Sequence, residues 1–366
     1  TGSYGGSGSQ GITTVVGETY TLSFQFISAT GSNSYIAVRD NPDVGGGTTI
    51  ASVSTSGLSA GIHSATFTAT GTTTYITVVA QNPNDVTTVD NVSVRLAEAD
   101  RSVNGNDLQV FGTVTKTAVA TGADLVGYSG FSASNYLSQP PNTDLDFGTG
   151  DFCAMGWFKS NTATGGNQAL FFRGQTDTNG YAMIEPYIRA DGRVDVLTRN
   201  AAEQNTILTT TGGVLTQQWV QWCMVRSSGV MYFYINGVFD SSLANTRNLT
   251  PSTSAKKTFR IGNSHNGLKP IPGSVALFRI SATAPTAEQI AKIYNDEKHL
   301  FQENAQATLY GTSDAVTALA YDDDTELLHA GTSAGRSVFQ GLRRVENTTD
   351  AVGSAISASN GLVAED

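Results

Sequence analysis

Charged residues make up only 14% of this 366-residue chain. That is too few for long solvent-facing helices, whose outer faces are built from Glu, Lys and Arg. Cysteine is nearly missing. The two present, Cys153 and Cys223, exclude a disulfide framework as the source of stability. Both fall in strand-like runs and read as small buried hydrophobes, with a cross-sheet disulfide as the alternative. No apolar run approaches the ~20 residues that span a bilayer, so membrane insertion is not expected. The four histidines, His63, His265, His299 and His329, lie in separate segments, which disfavours a His-built metal site. Gly-x-Ser-x-Gly, Walker A, HExxH and Cys-x-x-Cys patterns are all missing, so no catalytic motif stands out.

What is present points to β structure. Glycine is abundant, at 39 residues, and Thr, Ser and Asn accompany it, the residues of turns and wet strand positions. Lys and Arg total 21 against 31 Asp and Glu, a net charge of −10 that repels phosphate backbones and excludes a nucleic-acid partner. The opening TGSYGGSGSQ is flexible in composition and begins at Thr1, which reads as a processed product or a piece of a longer polypeptide.

Along the chain an all-β organisation emerges, in three parts. From 1 to 100 short strands alternate with turns. In ETYTLSFQF, Tyr20, Leu22, Phe24 and Phe26 share one face, and Thr19, Thr21, Ser23 and Gln25 the other. NSYIAVRD, HSATFTAT, TTYITVVAQ and DNVSVRL follow. This order, above all VDNVSVRL, resembles the jelly-roll modules that bind carbohydrate in bacterial enzymes; spacer modules share it.

The polar stretch AEADRSVNGN marks a boundary, and a second β-sandwich is expected over 101–302. Its strands are GDFCAMGWFKS, NQALFFRG, the hairpin YAMIEPYIRADGRVDVLTRN, QWVQWCMVRSS, GVMYFYINGVFDSS, KTFRIGNS and GSVALFRIS. Asn236-Gly237 between β-rich runs is a strong hairpin signal. Thr286 with Gln289 three residues on predicts a capped helix to about His299, with Ile290, Ile293 and Tyr294 on one face. FCAMGWFK, WVQWCMVRSSGVMYFYINGVF, FRIGN and GSVALFRISATAPTAEQIAKIYNDE resemble, in order, the concanavalin A-like/laminin G-like family, which serves lectins, enzymes and adhesion domains alike.

The tail, 303–366, reads as strand, Asp-rich turn, strand, Gly turn, strand, a β-blade-like segment expected to mediate assembly, because a lone blade cannot bury both faces. A lectin-like sandwich followed by such a tail resembles structural proteins of tailed bacteriophages, tail-fibre or decoration proteins on the virion surface, among which homo-oligomers, and trimers in particular, are common. That resemblance implies an extracellular, virion-surface location, other virion subunits as partners, and attachment to host-surface glycans. A purely structural fibre-shaft or decoration protein remains open, as does a bacterial secreted adhesin or filament subunit.

Glycosidases on this sandwich place two carboxylates together on one strand. Glu185 in MIEPYIR and Asp195 in RVDVLTRN each stand alone along the chain, and both read as outward polar positions on half-exposed strands. No enzyme activity is expected. Glycan binding needs an aromatic face and polar groups for hydroxyls. The candidates are Asp177, Asn179 and Tyr181 in one rim loop and Asn263, His265 and Asn266 in another, with Tyr128, Tyr136 and Tyr187 further off. Pentraxin- and laminin G-like relatives hold calcium in such loops, which implies Asp177, Asn179 and Asn263 as oxygen ligands; the second loop has amides where carboxylates are common, and ordinary turn roles compete with this reading. Arg336, Arg343 and Arg344 cluster in the tail and are expected to meet the Asp322–Asp324 turn, a neighbouring subunit or solvent.

Overall fold

The computed structural model describes residues 6–31, 33–100, 102, 104–161, 166–175, 182–251, 257–306, 308–313 and 315–366. The chain divides into two compact units, one of Thr1–Val114 with Ser134–Pro141 and Thr258–Arg260, the other of the remaining residues.

In the first unit the strands are β1 (Gly6–Thr13), β2 (Thr19–Ala29), β3 (Tyr35–Arg39), β4 (Thr49–Ser54), β5 (Gly61–Thr68), β6 (Thr73–Ala80) and β7 (Thr87–Leu96). They form two sheets, β1-β6-β3-β4 and β5-β2-β7. The alternation in β2 does what it predicts: Leu22, Phe24 and Phe26 meet Ile36, Val38, Phe67 and Ile76 in one buried cluster. The other face is drier than alternation suggests, since Thr21 and Ser23 are also buried. Where AEADRSVNGN was expected to mark a boundary, Glu98 and Leu108 exchange backbone hydrogen bonds of 2.9 and 2.8 Å and close the turn.

The next strands are β8 (Gln109–Phe111), β9 (Thr115–Ala118), β10 (Val126–Ser129), β11 (Tyr136–Gln139), β12 (Phe152–Ser160), β13 (Gln168–Ala169), β14 (Phe171–Gln175), β15 (Met183–Ile188), β16 (Arg193–Arg199), β17 (Asn205–Gly213), β18 (Val220–Ser227), β19 (Val230–Ile235), β20 (Val238–Ala244), β21 (Lys257–Ile261) and β22 (Gly273–Ser281). In the second unit β20-β19-β18-β12-β22-β10-β9 make a seven-stranded sheet, and β17-β16-β15-β14 run in order, with β13 also pairing β15. Within the first unit Tyr136 of β11 stacks on Phe111 of β8 with centroids 4.7 Å apart, and the Arg260 guanidinium lies 4.2 Å from the Tyr136 centroid. Tyr136 is thereby a core ring.

Inward residues alternate as pleating requires: Ile184, Ile188, Val194 and Val196 from one sheet, Phe152, Phe158, Trp222, Met224 and Phe233 from the other, all nearly inaccessible. Phe171 and Trp222 stack across the layers at 6.1 Å. Arg226 is fully buried, and it donates to the carbonyls of Gly148, Gly150 and Arg247 at 2.8, 2.8 and 2.9 Å, tying the loops at that end. Asn236 and Gly237 both adopt positive φ, 51° and 76°, as a tight hairpin demands. Gln221 anchors this turn from β18, accepting from Asn236 and Gly237.

One α-helix occurs among the described residues, α1 (Ala287–Glu297), extended by a 3-10 turn over Lys298–Phe301. Its start is the expected capping box, with the Thr286 side chain accepting from Gln289 and the Gln289 side chain from Thr286. The helix lies on the outer face of the seven-stranded sheet, where Ile290 is buried and Trp157 stacks on Tyr294 at 5.6 Å. Trp157 Nε1 donates to Glu297 at 2.7 Å and pins the helix end.

The tail contains β23 (Val316–Asp322), β24 (Leu327–Thr332), β25 (Gly335–Gln340) and β26 (Arg343–Asn347) as a four-stranded antiparallel meander, and a hairpin of β27 (Ile356–Ser359) and β28 (Leu362–Glu365). The arginines avoid the Asp-rich turn: Arg336 pairs with Glu365 at 3.1 Å, Arg343 donates to Gln302 at 3.0 Å, and Arg344 donates to the Thr308 carbonyl at 2.9 Å. Asp322 and Asp324 instead accept backbone N–H groups from Gly361 and Asn360, at 2.7 and 3.2 Å, and fasten the terminal hairpin.

Candidate functional site

Because β15 and β16 pair as Glu185↔Leu197 and Tyr187↔Asp195, residues 185, 187 and 195 share the face pointing away from the core. Their apolar neighbours Ile184 and Val196 point inward, which fixes this choice. Glu185 and Asp195 are not the solvated outward groups expected of half-exposed strands: they are 2% and 6% exposed. The loop after β21 covers Glu185, and side chains of the neighbouring strands enclose Asp195. Lys269 of that loop reaches Glu185 Oε2 at 2.6 Å and places its ammonium 4.4 Å from the Tyr187 ring centroid.

Asp195 is held from three sides. Tyr187 Oη donates to it at 2.9 Å, Thr209 Oγ1 at 2.7 Å, and Arg189 stands 3.6 Å away. Burial, then the hydrogen bond to Asp195 and the charges of Asp195 and Glu185, push the Tyr187 phenol up to about 12, so it remains a proton donor at ordinary pH. Glu185 Oε1 is buried and has no hydrogen-bond partner. A buried acceptor left in this state is costly.

The loop candidates divide. Asp177, Asn179 and Tyr181 lie outside the described residues. Asn263 is fully buried; its Oδ1 accepts from the backbone of Ser264 and Lys269 at 2.8 and 3.1 Å, and its Nδ2 donates to Ser132 at 2.7 Å. Both lone pairs of that oxygen are engaged, leaving none for calcium, and Asn263 serves to set the turn that delivers Lys269. Asn266 is exposed, with its Oδ1 accepting from Ser264 and Leu268 at 2.6 and 3.1 Å. His265 is half-buried, its ring 4.9 Å from Phe172. Among the described residues no three His, Cys, Asp or Glu side chains converge on a metal position. Tyr128 lies under Lys116, whose ammonium is 5.6 Å from its ring centroid, and Tyr187 is the candidate ring that joins the charged cluster. Lys269 carried no signal of its own, since its partner in the cluster is 84 residues away.

Both carboxylates of the cluster are already engaged. A glycosidase needs one carboxylate free to attack or activate water and another free to protonate. Here Glu185 is paired with an ammonium, and both Asp195 oxygens accept hydroxyl donors.

Residues 131–291 match the family described as the concanavalin A-like lectin/glucanases superfamily. No curated protein matches the chain. Similar solved structures include the binding domain of Paraclostridial Mosquitocidal Protein 1, at 14% identity over 69% of this chain and 64% of that one, TM-score 0.45. This chain therefore spans less than two thirds of that domain. Another is domain 4 of AbnA, a GH43 extracellular arabinanase from Geobacillus stearothermophilus in complex with arabinotriose, at 19% identity over 54% of this chain and 86% of that one, TM-score 0.40. A third is a heptameric SAP-like pentraxin from Limulus polyphemus, at 16% identity over 40% and 70%, TM-score 0.32. From its paired sheets and its family match, the region 131–291 is a concanavalin A-like, lectin-type domain.

Proposed function

We propose that this chain is a structural protein of a bacteriophage virion, carried on a tail fibre or the particle surface, that binds host-surface glycans weakly and without cleaving them. The Tyr187 ring, part-exposed beside the Lys269 ammonium and the part-exposed Arg189 side chain, carries the glycan reading: it puts an aromatic surface next to polar donors, the two elements a sugar ring uses. The lectin-type fold of 131–291 supports the same reading. A millimolar single site is worth only ~4 kcal/mol, and repetition in an oligomer, a trimer in this proposal, multiplies it.

The tail supports the assembly half. Leu319, Tyr321 and Leu362 are 61%, 54% and 77% exposed there, apolar surface of the kind that neighbouring subunits cover. Binding of the intact oligomer to a glycan array and to host cells tests the proposal. Tyr187→Ala is expected to weaken binding about tenfold or more, and an array with no signal for the intact oligomer removes the glycan half. Light scattering that finds a monomer removes the assembly half.

A further inference from the structure

Two cysteines and a methionine share the outer face of the seven-stranded sheet beneath α1. Cys153 and Met155 lie on β12 and Cys223 on β18, and the register pairs Met155 with Cys223 and Cys153 with Val225. All three therefore point the same way, with the cysteines as diagonal neighbours. They share one buried cluster with Val225, Tyr234 and Ile290 of the helix, at exposures of 2%, 7% and 0% for Cys153, Met155 and Cys223.

The two thiols face each other with 3.6 Å between their sulfurs, and both are unbonded. A disulfide needs a separation of about 2.05 Å. Two thiolates on one three-coordinate ion with bonds of about 2.3 Å stand about 4.0 Å apart. The observed spacing lies nearer the second geometry and reaches it by a small side-chain shift. A cavity of 580 Å³ adjoins the cluster, walled by Cys153, Met155, Arg279, Pro285, Gln289 and Ile293. It opens an entry path to Cys153 and Met155, behind which Cys223 lies buried. Arg279 donates to Met155 Sδ at 3.9 Å, which leaves the thioether a second lone pair, and its guanidinium is also paired with Glu297.

We propose that Cys153, Cys223 and Met155 form a binding site for one soft monovalent metal ion, of which Cu(I) is the probe. Two thiolates and a thioether are soft donors, which select Cu(I). Zn(II) asks for four ligands in a closed site, and no imidazole or carboxylate joins these three among the described residues. On binding, both S–H bonds break, two S–Cu bonds form and two protons leave to solvent. The ion keeps its oxidation state, and no oxidant or reductant takes part.

The test is anaerobic titration of reduced full-length protein, shown by mass spectrometry to hold two free thiols, with Cu(I) in competition with bicinchoninate. One Cu(I) per chain is expected. Cys153→Ala and Cys223→Ala keep the cluster apolar, so far-UV circular dichroism and Tm stay near those of the parent while the ion is lost. Met155→Leu weakens binding at least about tenfold. Failure of the reduced parent to take Cu(I) from bicinchoninate overturns the proposal, and so does undiminished binding by both alanine variants.

Discussion

Replacing Lys269 by Met tests the covered cluster most directly. The substitution preserves the aliphatic stem and removes the ammonium bonded to Glu185 Oε2. Glu185 is 2% exposed and its other oxygen has no partner, so the variant leaves a buried carboxylate with nothing bonded to it. Breaking a buried pair from one side costs about 3–5 kcal/mol. Lys269 is itself 25% exposed, so water reaches its end of the pair and moves the expected loss to about 2–3 kcal/mol. Urea unfolding followed by tryptophan fluorescence measures it. All three tryptophans, Trp157, Trp219 and Trp222, belong to the second unit and report on it. A second substitution, Glu185→Gln, removes the stranded charge and is expected to recover at least half the loss, a coupling that only direct partners show. A loss below about 0.5 kcal/mol for Lys269→Met, or a double variant no more stable than the single, refutes the buried-pair account.

Tyr187 is expected to ionise only near pH 12 in an absorbance titration, and Asp195→Asn lowers that value by removing the acceptor and its charge. Because the folded-state value lies above the ordinary 10.0, this tyrosine's contribution to stability is full below pH 10 and falls between there and about 12. In the tail, burial and then the charge of Arg336 hold His329 below the ordinary 6.5, against the opposite pull of Asp322, Glu346 and Glu365. Its share of stability is therefore complete above pH 6.5 and lost as pH falls, and His329→Gln flattens that loss in melts run at successively lower pH. Gly237→Ala combines a φ of 76° with a Cβ placed 2.9 Å from Tyr294 Cβ on α1. It is expected to destabilise by about 2–4 kcal/mol in the same urea assay, from left-handed backbone strain and overpacking.

Much of the architecture is readable along the chain because the signals are local. Leu22, Phe24 and Phe26 at every second position specify a strand with one dry face, and they form one. Asn236-Gly237 specifies a tight hairpin because both positions must adopt positive φ, and Thr286 with Gln289 specifies a helix start because the two side chains satisfy each other's backbone. These patterns span five residues or fewer, so the residue types settle them.

The candidate site is different. Period-two alternation states which side of β15 Glu185 and Tyr187 occupy, but not whether that side is wet. The loop from beyond β21 closes over Glu185, and Tyr187 and Thr209 of the neighbouring strands enclose Asp195, so two expected solvent-facing carboxylates are buried and bonded. Asn263 looked like a ligand by residue type, and only the turn it closes shows its oxygen already engaged. Cys153 and Cys223 stand 70 residues apart, and their contact depends on the register between β12 and β18. Local chemistry thus selected strands, turns and a helix cap from the amino acids alone. Which side chains meet was decided by long-range strand pairing and loop closure, whose free energies are summed over many residues and written at no single position.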